Sequence, residues 1–157
     1  YPPRYAEIMV EEMMKTKSVG ASSLWGYIPD EKHPAWGVKL FELLRDTHIW
    51  IQHFKRPELS VRGLVFAYDT ELAKKIGIRT DIIRGEDGYL AFKLKDHGKI
   101  TFVRNRRARA VTGYGTMDSD GTFWQGFWFR IKKYGLSIGR IFTTKEEYKD
   151  EQSNLIQ

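Results

Sequence analysis

Glu86 and Asp87 stand side by side between Gly85 and Gly88, with Arg84, Lys93 and Lys95 close in sequence. Hydrolysing a phosphodiester requires a group that activates water and a positive centre that takes up charge on the phosphate. A carboxylate meets the first need by accepting a proton or by holding a divalent metal. Glu86 is the first candidate for this role and Asp87 its assistant, either in proton transfer or as ligands of Mg2+ or Mn2+. The flanking glycines allow close backbone approach to a ligand, and Lys93 and Arg84 are near enough in sequence to serve the same phosphate. The same four residues also read as an Asp-Gly hairpin turn carrying a solvent-facing glutamate, so the local pattern leaves both readings open.

The neighbouring segment strengthens the chemical one. Lys99, Arg104, Arg106, Arg107 and Arg109 follow with no acid among them. Read as a strand, 107–114 places Arg107 and Arg109 on one face and Ala108 and Ala110 on the other, which aligns two guanidinium forks suited to phosphate oxygens. With Arg84 and Lys95 these residues make up the expected DNA-binding set. A charged edge strand protected from aggregation would have the same composition.

Other catalytic templates fail. No acidic-x-Lys triplet falls on a core strand: Glu147-Tyr-Lys149 lies in a polar C-terminal stretch and Asp30-Glu-Lys32 in a loop. The four histidines, His33, His48, His53 and His97, are dispersed and are read as structural or surface residues. Val19-Gly-Ala-Ser-Ser23 has the Gly-Ser turn of nucleotidyltransferase sites, but no Asp-x-Asp follows it on a strand, and Asp118-Ser-Asp120 is a turn. Five aromatics within Thr122–Arg130 are read as core packing, with stacking on unpaired bases the alternative.

Composition bounds the partners. The 26 Lys and Arg exceed the 20 Asp and Glu by enough to give +6, which favours an anionic partner without naming one. The absence of cysteine rules out disulfides and thiolate metal sites, so any metal must be held by oxygen or imidazole. No apolar run approaches the roughly 20 residues that span a bilayer, and no secretory signal is read at the start. The expectation is an intracellular protein with no membrane partner. Asparagine occurs only at Asn105 and Asn154, a depletion of heat-labile residues of the thermophile kind.

A chain of 157 residues suits one domain, 1–157. Pro2-Pro3 followed by Tyr5, Ile8, Met9 and Met13 predicts an amphipathic helix to Thr16 or Lys17. A second helix is expected over 35–45, and Asp69 should cap a short helix over 70–76 that Gly77 closes. Residues 20–26, with Pro29 and Pro34 after them, read as an irregular stretch of small and turn residues, and strands are expected at 48–54, 61–68, 80–84, 89–95, 99–104, 107–114, 122–132 and 136–142, with a polar helix after 143. The fold expected is therefore α+β, an antiparallel β-meander flanked by N-terminal helices.

The segments DIIRGEDGYLAFKLKDHGK, VRNRRARAV and GTFWQGFWFRIKKYG, with the chain length, resemble the small DNA nucleases of the archaeal filamentous viruses of Acidianus, the lipothrixviruses. The resemblance spans most of the chain and rests on whole segments rather than on a generic motif. It implies an α+β fold remotely like the nucleotidyltransferases, cleavage of linear double-stranded DNA with Glu86 as the catalytic carboxylate, and action in the host cytoplasm. A homodimer is a further expectation, in which one subunit's arginines could serve the other's carboxylates. The alternatives are a viral nucleic-acid-binding protein without catalysis and a nucleotidyltransferase-like enzyme.

Overall fold

In the computed structural model, which describes residues 1–78, 86–118 and 121–143, Pro2 and Pro3 lead into helix α1 (Tyr5–Thr16). Its buried stripe, Ile8 and Met9, packs on Ala21, Val103 and Ala108. Lys17 ends the helix in the left-handed region at φ 52°, and the chain turns directly into strand β1 (Ser18–Ser22).

β1 is the centre of a three-stranded sheet. Strand β3 (Phe66–Tyr68) pairs with it antiparallel and strand β4 (Lys99–Phe102) pairs with it parallel, in the order β3-β1-β4. A second, two-stranded parallel pair joins β2 (Trp25–Tyr27) to β5 (Ala110–Thr112). Side chains alternate along β3, as a period of two requires: Ala67, like Ala21 of β1, faces α1, whereas Phe66, Tyr68 and Ile100 face helices α3 (Thr70–Ile76) and α4 (Glu86–Leu94). Val19, two residues before Ala21, also faces α3 and α4, because the register of β1 against β4 shifts between Ser18 and Gly20. The capping expected at α3 is present: the Asp69 side chain accepts from the Leu72 N–H at 2.9 Å, and Gly77 follows the helix at φ 85°, a conformation costly for a residue with a Cβ.

The remaining core lies between α2 (Ala35–Lys55) and α6 (Phe123–Thr143), where Val38 and Phe41 meet Phe123 and Phe127. A short helix, α5 (Gly115–Asp118), precedes α6.

The α+β class is thus present, but the described residues do not form an antiparallel meander. Residues 89–94 lie in α4, residues 123–132 and 136–142 lie in α6, and residues 48–54 continue α2 to Lys55. The stretch 61–68 contains a 3-10 turn at Gly63–Val65 and only then β3, and 107–114 opens with a 3-10 turn at Arg106–Ala108 before β5. The strand expected at 80–84 and the helix expected after 143 lie outside the described residues.

Helical packing explains the difference. Phe123, Phe127, Ile131 and Tyr134 are spaced by four, four and three residues and all pack in the α2–α6 core, so aromatic strand propensity gives way to one buried helical stripe. Leu90, Ala91 and Leu94 do the same in α4.

Candidate functional site

Helix α4 begins with its two acids. Glu86 and Asp87 sit in the first turn, where the unpaired N–H groups and the positive end of the helix dipole favour anions. The pair is therefore a helix start and not the tip of a hairpin. Asp87 is half-buried, and its Oδ2 accepts a short hydrogen bond from the Gly63 backbone N–H, which ties α4 to the turn before β3. Glu86 is exposed, and no hydrogen bond or ion pair engages it among the described residues.

Strand register locates this end of α4. Ser22 pairs with Phe66 on one side and with Phe102 on the other, so the carboxyl ends of β1 and β4 coincide with the start of β3. Gly63, the partner of Asp87, lies three residues before Phe66; Arg104 lies two residues after Phe102. Strands are spaced by about 4.8 Å, so the β3 and β4 edges are roughly 10 Å apart across β1. The acidic start of α4 and Arg104 consequently share one end of the sheet. The Ser23 hydroxyl, just past β1, donates to the Ala108 carbonyl at 2.9 Å and fastens the basic turn to the same end.

The basic residues divide by position. Arg104, Arg106 and Arg107 are exposed, and no ion pair holds them among the described residues. Asn105 caps their 3-10 turn by accepting from the Arg107 N–H at 2.9 Å. Ala108 packs against α1, however, so the turn approaches the sheet from the face opposite α4. Arg109 is not free for a phosphate in the same way: it binds Glu42 at 3.2 Å and Asp46 at 3.1 Å on α2. The expected row of two guanidinium forks on one strand face is absent, because residues 106–108 turn and β5 starts only at Ala110.

The lysines lie elsewhere. Lys93 follows Glu86 by seven residues, about 10 Å along a helix, and sits over the Tyr89 ring at 5.9 Å. Lys95 binds the buried Glu58 at 3.0 Å and covers the Phe92 ring at 3.9 Å. Lys99 is exposed at the start of β4, the end opposite Arg104. Glu86, Lys93 and Lys95 therefore do not converge on one point. Arg84 lies outside the described residues.

The sequence reading missed two residues near this region. His53, half-buried on α2, packs its ring 5.1 Å from Phe102 and lies 3.3 Å from the Ser60 hydroxyl. Burial, then the charges of Arg104 and Lys99, lower its pKa. Glu58 joins Lys95 to Arg56 (2.8 Å). Burial alone would raise its carboxyl, but the hydrogen bonds from Lys95 and Arg56 outweigh that and leave it below the ordinary value. His53 had no signal beyond an isolated His on a stretch read as a strand. Of the other histidines, His48 is buried against the Tyr134 ring at 4.5 Å, and His33 bridges Asp30 and Asp118 at 2.8 and 3.0 Å.

For a metal, the chain offers Glu86 and the second oxygen of Asp87. No cluster of three His, Asp or Glu side chains able to hold an ion is found among the described residues. Mg2+ is commonly held by one or two carboxylates with water and substrate phosphate completing its shell, so this donor set fits that ion in number and kind. No helix among the described residues is long and apolar enough to cross a membrane. Comparison of the chain with protein-family models, with curated proteins and with solved structures found no match.

Proposed function

We propose that this protein hydrolyses phosphodiester bonds of linear double-stranded DNA in the host cytoplasm, with Glu86 as the catalytic carboxylate. One observation carries the reading: the reversal of the chain from α4 into β4 brings the exposed Glu86 to the same end of the sheet as Arg104, which no ion pair holds among the described residues. The resemblance to the archaeal viral nucleases supports it independently.

In this proposal Glu86 takes a proton from the attacking water or binds Mg2+ or Mn2+, which when bound neutralises phosphate charge and acidifies a water. Asp87 fixes the start of α4 through Gly63 and offers its remaining oxygen to the ion. Arg104, Arg106 and Arg107 hold the DNA backbone, positioning it without reading sequence. Lys93 and Lys99 meet phosphates further along the duplex, since neither lies beside Glu86. The remote nucleotidyltransferase likeness remains part of the proposal, but nucleotidyl transfer is not the activity assigned, because no Asp-x-Asp follows Val19–Ser23 on a strand.

The test is incubation of linear and circular duplexes with the wild-type and Glu86→Gln proteins in Mg2+, Mn2+ or EDTA. Cleavage of the linear duplex by wild type alone is expected; equal degradation by both proteins would overturn the assignment.

A second reading has its own observation. The basic turn reaches the sheet from the α1 face while α4 covers the other, an arrangement that serves DNA binding without cleavage. Salt-sensitive binding with no cleavage under any metal would establish it.

A further inference from the structure

The outer face of α2 carries Trp36, Leu40, Leu43, Thr47, Trp50 and Phe54, spaced alternately by four and three residues over the whole helix. This is the seam pattern of a helix that packs lengthwise on another helix. Among the described residues it stays largely open, touched by Trp124 at Trp36 and by Lys55 at Phe54: Trp36 and Leu43 are each 64% exposed, Trp50 50% and Phe54 75%. The inward face of the same helix already supplies the core through Val38, Phe41 and Ile49, so the fold does not need the outer stripe.

We propose that this stripe is the interface with a second copy of the chain, the two α2 helices packing antiparallel about a two-fold axis level with residue 45. The inference goes beyond the proposed activity and does not depend on it.

Three features select this occupant. The first is area. A fully covered aromatic hides on the order of 150–250 Å², so with Leu40, Leu43 and Leu44 the face offers roughly 700 Å² of apolar side chain, against about 800 Å² per partner in a stable interface. That exceeds the roughly 300–600 Å² of the largest patch on an ordinary monomer. Trp124 of α6 meets Trp36 at one end of the stripe (5.2 Å), and Trp128, one turn further along α6, is also 64% exposed.

The second is self-complementarity, which a two-fold interface demands. Antiparallel pairing about position 45 sets Leu43 beside Thr47, Leu40 beside Trp50 and Trp36 beside Phe54. The small Thr47 opposes Leu43 at the centre, where the helix axes come closest, and the bulky rings fall toward the ends.

The third is charge. None of the six stripe positions is charged, and the lysines of α2 stand only toward its ends, Lys39 beside Trp36 and Lys55 over the Phe54 ring at 5.8 Å, with no exposed cation between Leu40 and Phe54, whereas a surface that tracks nucleic acid interleaves its aromatics with cations throughout. Among the described residues, the exposed arginines that no ion pair holds, Arg104, Arg106 and Arg107, lie at and just before the 3-10 turn at Arg106–Ala108 and not on α2.

Sedimentation equilibrium of the full chain, across a wide range of concentration, is expected to give twice the chain mass. Leu43→Glu and Trp50→Glu should each give a single-chain mass with an unchanged far-UV circular dichroism spectrum. Because the natural chain has no cysteine, mixing Leu43→Cys with Thr47→Cys under mild oxidation should form a mixed disulfide faster than mixing Lys74→Cys with Thr47→Cys. A single-chain mass at every concentration would overturn the proposal. So would a dimer that survives both glutamate substitutions, or a monomer that gains mass only when duplex DNA or lipid vesicles are added.

Discussion

Arg109 Nη2 donates to Glu42 Oε2 at 3.2 Å, and this contact removes one arginine from the set expected from the sequence to bind phosphate. The other Glu42 oxygen accepts the Tyr27 N–H at 2.8 Å, and Arg109 Nη1 reaches Asp46 at 3.1 Å. One guanidinium thus fastens the start of β5 and the edge of β2 to α2. Replacing Arg109 by Ala should cost about 1 kcal/mol of stability, since both pairs are partly screened by solvent and Asp46 keeps its pair with Arg45 at 2.6 Å. Urea denaturation measures this, and the salt dependence of DNA binding should stay as in wild type.

Arg104, Arg106 and Arg107 should behave in the opposite way. With these three arginines, Lys93 and Lys99 each neutralising a phosphate, log affinity for duplex DNA is expected to fall with log salt at a slope of about −4.5, and each Arg→Ala substitution should make it shallower by about 0.9. Their stability should change little, because all three side chains are exposed. Fluorescence anisotropy titrations at several salt concentrations give both quantities.

Glu86 and Asp87 are separable by experiment although adjacent. Glu86→Gln should reduce cleavage by about 10²–10⁴, the usual contribution of a general acid or base, with DNA affinity and stability preserved. Asp87→Ala should instead destabilise the fold by about 1 kcal/mol, through loss of its hydrogen bond to the Gly63 N–H. Parallel cleavage assays and thermal melts distinguish the two patterns. Loss of activity in Asp87→Ala with unchanged stability would make the oxygen offered to the ion, and not the tie to Gly63, the main role of Asp87.

Acidification should expose the buried imidazole. Burial, then the charge of Arg62, lowers the His48 pKa from 6.5 to about 4. The unfolded chain therefore takes up a proton first as pH falls, and the contribution of His48 to stability is complete above 6.5 and lost on the way to 4. The expected loss is about 3 kcal/mol. His48→Phe should flatten the stability profile across this window in urea titrations. Glu58, also lowered in the fold, contributes stability above its ordinary value of 4.5 that is lost as pH falls through the lower folded value. Glu58→Gln should soften that second, more acidic decline.

Local signals were enough for some elements. Pro2-Pro3 and the spacing of Tyr5, Ile8, Met9 and Met13 marked α1, and Asp69 with Gly77 bounded α3 to the residue. Caps and first-turn residues act through their own backbone neighbours, so short sequence windows contain the physics. The longer helices were misread for a related reason. In α6 each of Phe123, Trp124, Phe127, Trp128 and Phe129 favours a strand when taken singly, and only the facing Val38 and Phe41 of α2 reward the helical stripe. Likewise Leu90, Ala91 and Leu94 make α4 a helix because Ala73, Val61 and Ile100 receive them.

For the candidate site, the residue types alone determined that a carboxylate pair, an excess of arginine and no thiol were available, and hence which ligands could be met. Tertiary structure decided which of those groups stand together. Register across β3, β1 and β4 brought Glu86 and Arg104 to one end, while helical rise in α4 carried Lys93 about 10 Å away. Glu42 and Asp46, far from Arg109 in sequence, claimed it for the fold. Charge and chemistry belong to each residue by itself, whereas convergence depends on pairings between distant segments that no short window records.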